Sequence, residues 1–178
     1  PDIPKETKTQ NINKVAIIGS GTMGGGIAMN FANVGIPAVV VDINEDALKI
    51  GLDRVKNNYL SSVAKGRMSQ EKMDQTMNLI SGATNYSEIA DSDIVIEAVF
   101  EDMDLKKKIF KELDQVCKPE TILASNTSTL DINEIADSTN RPDKVCGTHF
   151  FSPANIMKLL ENVRTEKSSK ETIATVMG

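Results

Sequence analysis

The sequence is poor in the residue types that most often carry metal or disulfide chemistry. Its 178 residues include one histidine, two cysteines and no tryptophan. Any imidazole chemistry therefore depends on His149. Cys117 and Cys146 lie far apart and have no CxxC spacing, so the sequence indicates neither a disulfide framework nor a zinc site. We expect two thiols in a reducing compartment and no bound metal.

Positive charge and long apolar runs are also scarce. The 20 lysines and arginines are outnumbered by 25 aspartates and glutamates, which gives a formal charge of −5. Because nucleic-acid binding depends on clustered basic residues, we expect no nucleic-acid partner. No apolar run reaches the roughly 18 residues of a membrane span, and the first residues lack the apolar core of a signal peptide. We therefore expect no membrane-spanning segment.

The sequence divides into a short leader and one domain. Residues 1–13 are polar and contain two prolines, whereas an apolar run begins after Lys14. We expect 1–13 to be a linker or leader and 14–178 to be a single domain, since a chain of this length buries one core. The leader also suggests that the chain is a piece of a longer protein.

Apolar runs alternate with amphipathic segments along the domain. The runs are VAIIG, PAVVVD, DIVIEAVF, TILASN and KVCGTHF. Because they show no period-two alternation, they predict strands that are covered on both faces, as in a parallel sheet. Segments 45–60 and 104–116 have helical periodicity. The pattern predicts an α/β fold with a doubly wound, mostly parallel sheet, in which 61–78 lengthens the crossover after the second strand.

A glycine-rich turn separates the first predicted strand from the first predicted helix. Gly19, Gly21 and Gly24 have the spacing GxGxxG. In such a turn the first glycine permits the bend, the second admits a pyrophosphate, and the third lets the helix pack on the strand. The phosphates then meet free N–H groups at the helix N-terminus. A simple turn is the alternative, but the strand, motif and helix in succession favour a dinucleotide site.

The second predicted strand ends in an acid, Asp42, about 20 residues beyond the glycines. A carboxylate at this position accepts hydrogen bonds from both ribose hydroxyls and repels a 2′-phosphate. The sequence therefore predicts NAD rather than NADP. A solvated acid at a strand end is the plainer interpretation of Asp42 alone, and the preceding glycines are what favour the functional one.

Polar residues follow the later predicted strands. Because parallel strands end at one edge of a sheet, Glu101, the SNTST segment 125–129 and His149 should converge on one crevice. Each has a plainer explanation: Glu101 and Lys106 as solvated charges, SNTST as helix capping, and His149 as a packing residue. Glu97 lies inside an apolar run and should be buried with a partner or end its strand, because an unpaired buried carboxylate is costly.

His149 is a candidate base if a carboxylate accompanies it. A neutral imidazole can remove a hydroxyl proton while hydride leaves the same carbon. A carboxylate beside the ring would fix its tautomer and stabilise the imidazolium. Pro153 and Asn155 allow a turn, after which a further strand would bring Glu161 back beside His149.

Four segments together resemble the NAD-binding domain of L-3-hydroxyacyl-CoA dehydrogenases of fatty-acid β-oxidation. They are IGSGTMGGGIA, EAVFEDMDLKKKIF, ASNTSTL and HFFSPANIMKLLE, and they lie in this order within 14–178. The resemblance implies a Rossmann-like fold and NAD-dependent oxidation of L-3-hydroxyacyl-CoA to 3-ketoacyl-CoA. Many members have asparagine where this chain has Ser152. In this the chain is similar to peroxisomal multifunctional enzymes, in which a hydratase domain precedes the dehydrogenase.

The resemblance also assigns roles to individual residues. His149 would be the general base that takes the 3-hydroxyl proton, Glu161 its carboxylate partner, and Ser128 a hydrogen-bonding partner of the reacting oxygen. Glu101 and Lys106 would line the nicotinamide side of the cofactor. The residues implied in cofactor binding are Gly19, Gly21, Thr22, Met23, Gly24, Asp42, Glu101, Lys106, Asn126 and Ser152.

Further expectations concern substrate, partners and compartment. Lys65 would contact the phosphates of an acyl-CoA substrate. The chain ends before the helical domain that in this family closes over the substrate and often forms a homodimer, so we expect NAD binding with little or no turnover from this chain alone. The resemblance favours the peroxisome, with the mitochondrial matrix as the alternative.

Two other functions compete with this one. A non-catalytic NAD-binding or sensor module could retain the fold without the chemistry. A β-hydroxyacid dehydrogenase that acts on small free acids would share the glycine turn, but such enzymes use a lysine as the catalyst. The HFFSP segment, together with His149 and Glu161, argues against the second alternative.

Overall fold

The computed structural model describes residues 4, 7–127, 129–150, 160–165 and 167–177. Within these residues one sheet of seven strands has helices on both faces. The strands are β1 (Val15–Ile18), β2 (Ala38–Val41), β3 (Ile80–Ala83), β4 (Ile94–Glu97), β5 (Ile122–Ser125), β6 (Val145–Phe150) and β7 (Leu160–Arg164). The helices are α1 (Thr22–Ala32), α2 (Glu45–Ala64), α3 (Gln70–Met77), α4 (Met103–Val116), α5 (Ile132–Asp137) and α6 (Lys170–Met177). No helix in the described ranges has the length and apolarity that a membrane crossing requires.

The sheet has the order β3-β2-β1-β4-β5-β6-β7. Strands β1 to β6 are parallel, and β7 runs antiparallel at one edge. The predicted doubly wound, mostly parallel sheet is therefore confirmed. The chain first moves outward from β1 through β2 to β3 and then crosses to β4 on the other side of β1. This reversal opens a crevice beyond the carboxyl ends of β1 and β4, where ligands bind in folds of this type.

Alternate strand residues build two cores, one on each face of the sheet. In β1, Val15 and Ile17 belong to the core that α1, α2, α3 and α6 cover, whereas Ala16 and Ile18 belong to the core under α4 and α5. Every residue of β1, β4 and β5 is buried. The central strands are apolar on both faces for this reason, and their lack of alternation is the pattern that predicted them.

The glycine turn brings α1 close to the end of β1. Gly19 has a φ of +106°, which an L side chain rarely adopts. A Cβ on Gly24 would overlap the carbonyl oxygen of Gly19, so a side chain at this position would push the helix off the strand. At the other end of the helix, Gly35 has a φ of +85°, the left-handed conformation that commonly ends a helix, and it closes the turn after α1. Val34 lies beyond the helix and is 71% exposed.

The sequence did not predict β3, and the 61–78 segment is more regular than expected. That segment holds the end of α2 and all of α3. In β3 only Ile80 and Ala83 are buried, so no apolar run marks the strand. A Cβ on Gly82 would lie 3.0 Å from methyl carbons of Leu48 and Leu52, which shows how closely α2 approaches this edge strand.

The buried face of α4 includes a lysine and only part of the predicted apolar stripe. Of the four apolar residues whose spacing predicted this helix, Ile109 and Leu113 are buried, whereas Leu105 and Val116 are 36% and 37% exposed. Lys106 is fully buried on this face. A lysine tolerates complete burial only when a partner neutralises it, and the partner in this case is a carboxylate at the end of β4.

The described part of the leader packs on the domain. The backbone N–H of Gln10 donates to Thr175 Oγ1 over 2.9 Å, and the N–H of Asn13 donates to Asp93 Oδ2 over 2.7 Å. Ile12 packs against the core between the sheet and α1. Residues 10–13 are therefore attached to the domain that follows them.

We expect Gly24→Ala to lower the free energy of unfolding by about 3 kcal/mol or more, because the new methyl overlaps backbone rather than a movable side chain. Gly21→Ala is the matched control in the same turn. A Cβ at Gly21 meets nothing within 4 Å, so this change should cost less than about 1 kcal/mol, the usual loss at a helix N-cap. Urea unfolding measures both values. Equal losses would contradict the packing described for Gly24.

Candidate functional site

A cavity of about 680 Å³ opens at the carboxyl ends of β1, β2 and β4. Its lining includes the glycine turn, Asp42 at the end of β2, the residues that follow β4, and one side of α4. Thr22 and Met23, two of the predicted cofactor residues, also line it. A cavity of this volume, at the point where the strand order reverses, is the expected ligand site of a doubly wound sheet.

The N-terminus of α1 faces this cavity and has no side-chain cap. Gly21 is the N-cap residue, and its φ is −66°. Because glycine has no side chain, no capping hydrogen bond is made to the N–H groups of the first turn. The first turn of α1 contains no acidic residue. Neither the backbone conformation nor packing against the described residues requires glycine at Gly21. The absence of a side chain at Gly21 leaves the free N–H groups of the first turn open to the cavity.

Asp42 is partly buried at the rim of the cavity and is held from two sides. Its Oδ2 accepts from Ser20 Oγ over 2.7 Å, and its Oδ1 accepts from the N–H of Asn44 over 3.2 Å. Tyr86 lines the same cavity. Burial, reinforced by the charges of Glu112, Glu97 and Asp42, raises the pKa of Tyr86 to about 12, so its hydroxyl keeps its proton at neutral pH.

Below the cavity lies a fully buried ion pair between Glu97 and Lys106. The ammonium donates to Oε1 over 2.9 Å and to Oε2 over 2.7 Å, and both side chains are 0% exposed. Ser125 Oγ donates to Oε1 over 2.6 Å, and the N–H of Val99 donates to Oε2 over 2.7 Å. The sequence predicted that Glu97 would have a partner or end its strand, and both are confirmed.

Glu101 connects this ion pair to the loop after β5. Its Oε1 lies 3.7 Å from the Lys106 ammonium, and its Oε2 accepts from the hydroxyls of Thr127 and Thr129 over 2.6 and 2.9 Å. Partial burial alone would raise the pKa of Glu101. The two hydroxyls and the ammonium outweigh that effect and hold the pKa below its usual range. Glu101 is therefore ionised at neutral pH.

The environment of Lys106 differs from the cofactor-lining position that was expected. We expected it to line a cofactor, but its ammonium is enclosed by Glu97 and has no exposed surface. It reaches the site through Glu101. Lys65 is an exposed C-cap residue at the end of α2 and is not part of the cavity lining.

The described part of the SNTST segment forms a hydrogen-bonded turn, and the cap of α5 lies just beyond it at Asp131. The N–H of Leu130 donates to Thr127 Oγ1 over 3.1 Å, and Asp131 caps α5 by accepting from the N–H of Asn133 over 2.8 Å. Asn126 follows β5 directly, and its N–H donates to the Glu97 carbonyl over 2.7 Å. Ser128 lies outside the described residues.

The predicted return strand is confirmed as β7, and its register places Glu161 opposite His149. The two residues are Cα partners in the antiparallel ladder between β6 and β7. Residues at opposed positions of such a ladder lie on the same face of a sheet. His149 is partly buried near the carboxyl end of β6, at the sheet edge where the cavity opens. Ser152, in the connection between the two strands, lies outside the described residues.

Ser20 and Tyr86 were not among the predicted site residues. Ser20 is an unspecified position of the GxGxxG pattern, and Tyr86 lies in a short 3-10 turn after β3, the strand that was not predicted. A signal for Ser20 does exist. The strands before Gly19 and Asp42 pair in register, so the residue after that glycine must lie near the acid.

Comparison with known proteins agrees with these features. The chain matches, over residues 14–178, a family described as 3-hydroxyacyl-CoA dehydrogenase, NAD binding domain. It is 48% identical over 168 residues to the peroxisomal fatty acid beta-oxidation multifunctional protein MFP2 of Arabidopsis thaliana, which covers 94% of this chain and 23% of that protein. The chain thus spans about a quarter of the length of the curated relatives it matches.

Two solved structures show the same fold. A 3-hydroxybutyryl-CoA dehydrogenase from Escherichia coli superposes with a TM-score of 0.90 at 38% identity, covering 92% of this chain and 35% of that one. The dehydrogenase part of multifunctional enzyme 1 from C. elegans gives a TM-score of 0.88 at 32% identity, covering 99% and 41%. Several relatives have peroxisomal or glyoxysomal names.

We expect Lys106→Met to lower the free energy of unfolding by about 3–5 kcal/mol, because it leaves the Glu97 carboxylate buried without its counter-charge. Lys107→Met is the matched control one residue away. Lys107 forms a surface pair with Glu134, with side chains 35% and 56% exposed, and its loss should cost about 0–1 kcal/mol. Chemical denaturation measures the free energy of unfolding of both variants. Similar losses would show that the buried pair does not hold α4 on the sheet.

Proposed function

The chain belongs to the family of NAD-binding domains of 3-hydroxyacyl-CoA dehydrogenases, and on that basis we propose that it binds NAD in an enzyme that oxidises L-3-hydroxyacyl-CoA to 3-ketoacyl-CoA. One observation carries the chemical part of the proposal. The β6–β7 register sets Glu161 opposite His149 at the same carboxyl-end edge of the sheet as the dinucleotide cavity, with β6 two strands beyond β4.

The cofactor site follows from the cavity. The glycine turn, with Gly19, Gly21 and Gly24, brings the N–H groups of α1 to the pyrophosphate, and Asp42 accepts from the ribose hydroxyls. Thr22 and Met23 lie along the dinucleotide, since both line the cavity. Bound NAD supplies the hydride acceptor. The charge of Asp42 at the rim opposes the 2′-phosphate of NADP.

The chain's own catalytic work is proton transfer. His149 takes the proton of the 3-hydroxyl while the hydride leaves C3, the carbon that bears this hydroxyl. The electron pair of the broken O–H bond then forms the carbonyl. The carboxylate of Glu161 orients the ring and stabilises the imidazolium.

The loop after β5 and the connection between β6 and β7 supply the remaining contacts. We assign Ser128 to the reacting oxygen, with Asn126 and Ser152 on the cofactor. Glu101 supports this assignment because it binds the hydroxyls of both threonines that flank Ser128. Lys106 acts on the cofactor side through Glu101, which borders the nicotinamide. A short, fixed loop at this place would hold the substrate oxygen within reach of His149.

The substrate and the partner domains are assigned to the longer protein that contains this chain. An acyl-CoA is the substrate, with Lys65 touching its phosphates, and the relatives' multifunctional names support a hydratase domain in the same chain. The peroxisomal names of several relatives favour the peroxisome. We assign dimerisation and closure over the substrate to a helical domain, so the 178 residues alone should bind NAD and turn over slowly.

A lysine-dependent dehydrogenase of small free acids is the weaker alternative. Such an enzyme needs an uncommitted lysine beside the substrate. Lys106, buried below the cavity, is already neutralised by Glu97, and its ammonium has no surface from which to reach a substrate. The alternative would therefore have to use Lys108, which lines the cavity on α4, in place of the His149 and Glu161 pair.

We expect His149→Gln, made in the longer enzyme, to lower NADH oxidation with acetoacetyl-CoA by about 10²–10⁴-fold and to leave NADH affinity unchanged, because only the proton transfer is removed. Thr148→Val is the matched control on the opposite face of the same strand and should keep both properties. Steady-state rates and NADH titration provide the two readouts. Wild-type turnover by His149→Gln would refute the proposed chemistry, whereas absence of NADH binding by the wild type would refute the cofactor site itself.

A further inference from the structure

Ser20 lies between the first two glycines of the turn and is only 3% exposed. Its hydroxyl donates to Asp42 Oδ2 over 2.7 Å, and its N–H lies 3.4 Å from the same oxygen. The glycine pattern places no demand on this position. The side chain is nevertheless buried against the acid that the proposed function assigns to the ribose.

Helix α2 fixes Ser20 from the other side. A Cβ on Gly51 would overlap the Ser20 carbonyl oxygen and lie 2.8 Å from the Ser20 Cβ, so the two backbones are in close contact. Ser20 Oγ also lies 3.1 Å from the carbonyl oxygen of Ala47 in the first turn of α2. The serine side chain therefore has little room to move.

A serine hydroxyl has one hydrogen to donate. Between the Asp42 carboxylate and the Ala47 carbonyl, the charged acceptor is the stronger and the closer. The other carboxylate oxygen accepts from the Asn44 N–H over 3.2 Å. Donors on both oxygens fix the plane of the Asp42 carboxylate before any ligand arrives.

We propose that Ser20 is a positioning residue for cofactor selection: it holds the Asp42 carboxylate so that its remaining lone pairs face the ribose hydroxyls and its charge faces the site of a 2′-phosphate. The inference rests on the proposed NAD site and adds a residue to it. Each carboxylate oxygen accepts more than one hydrogen bond, so Ser20 and a ribose hydroxyl can share Oδ2. A carboxylate already in place also loses less conformational freedom when the ribose binds.

Without the Ser20 hydroxyl, Oδ2 would keep only the longer contact to the Ser20 N–H, and the carboxylate would be held less firmly towards the ribose. NADH would then lose part of its hydrogen bonding, and NADPH would meet less repulsion. The quantity that separates this role from a purely structural one is the ratio of the Kd values for NADPH and NADH. General loosening of the turn weakens both cofactors alike and leaves their ratio unchanged.

The test is a double-mutant cycle on the 178-residue protein with Ser20→Ala, Asp42→Ala and the double variant. Calorimetric titration with NADH and NADPH gives the Kd values. We expect Ser20→Ala to weaken NADH about 3–10-fold, the usual effect of one charge-assisted hydrogen bond, and to lower the NADPH to NADH ratio by a similar factor. In the Asp42→Ala background, Ser20→Ala should leave the ratio unchanged, because the residue it acts through is gone.

Two further variants make the result decisive. Ser20→Cys keeps a side chain of similar shape but has only a weak S–H donor, so it should lower the NADPH to NADH ratio as Ser20→Ala does. It provides the readout even if alanine at this position impairs folding. Ser92→Ala removes another buried serine hydroxyl, just before β4 at the far end of the strands, and should leave the ratio at the wild-type value. An unchanged ratio in Ser20→Ala and Ser20→Cys would overturn the proposal, as would an equal change in the Asp42→Ala background. If the wild type failed to bind NADH, the proposed function itself would fall.

Discussion

The buried ion pair between Glu97 and Lys106 is the interaction on which the site depends. It joins the end of β4 to the first turns of α4, and Ser125 and Val99 supply the remaining hydrogen bonds to the carboxylate. A charge pair with no exposure is tolerated only because every acceptor position is used. The pair therefore fixes the angle at which the chain leaves β4, and that segment forms one wall of the cavity.

The same constraint extends to the chemical side of the site. Glu101 lies within reach of the Lys106 ammonium and binds the two threonines of the loop after β5. The carboxyl ends of the neighbouring strands β4 and β5 are thus tied together by charge and hydrogen bonds rather than by apolar packing. On the other side of β1, Ser20 and Asp42 form a second polar link between strand ends. The sheet supplies the rigid base, and these two links set the positions of the groups that face a ligand.

Much of the fold could be predicted because the central strands are buried on both faces and so appear as continuous apolar runs. Strand β3 lacks such a run, since it lies at the edge and buries only Ile80 and Ala83. The buried role of Lys106 could not be read from helical periodicity, because that method counts apolar residues and the partner lies in a different element. Glu97 was a better signal: an acid within an apolar strand requires a counter-charge. Pro153 and Asn155 suggested a return strand, but spacing alone could not establish the register that sets Glu161 opposite His149, and the link from Ser20 to Asp42 likewise required the register of two strands.

The central claim is that the cavity between β1, β2 and β4 holds NAD with its ribose on Asp42. The most direct measurement is a crystal structure of this chain grown with saturating NAD. Our account predicts the pyrophosphate at the N-terminus of α1, beside Gly21, and both adenosine ribose hydroxyls within hydrogen-bonding distance of the Asp42 carboxylate. A dinucleotide bound elsewhere on the sheet edge, or in this cavity with its ribose turned away from Asp42, would contradict the account.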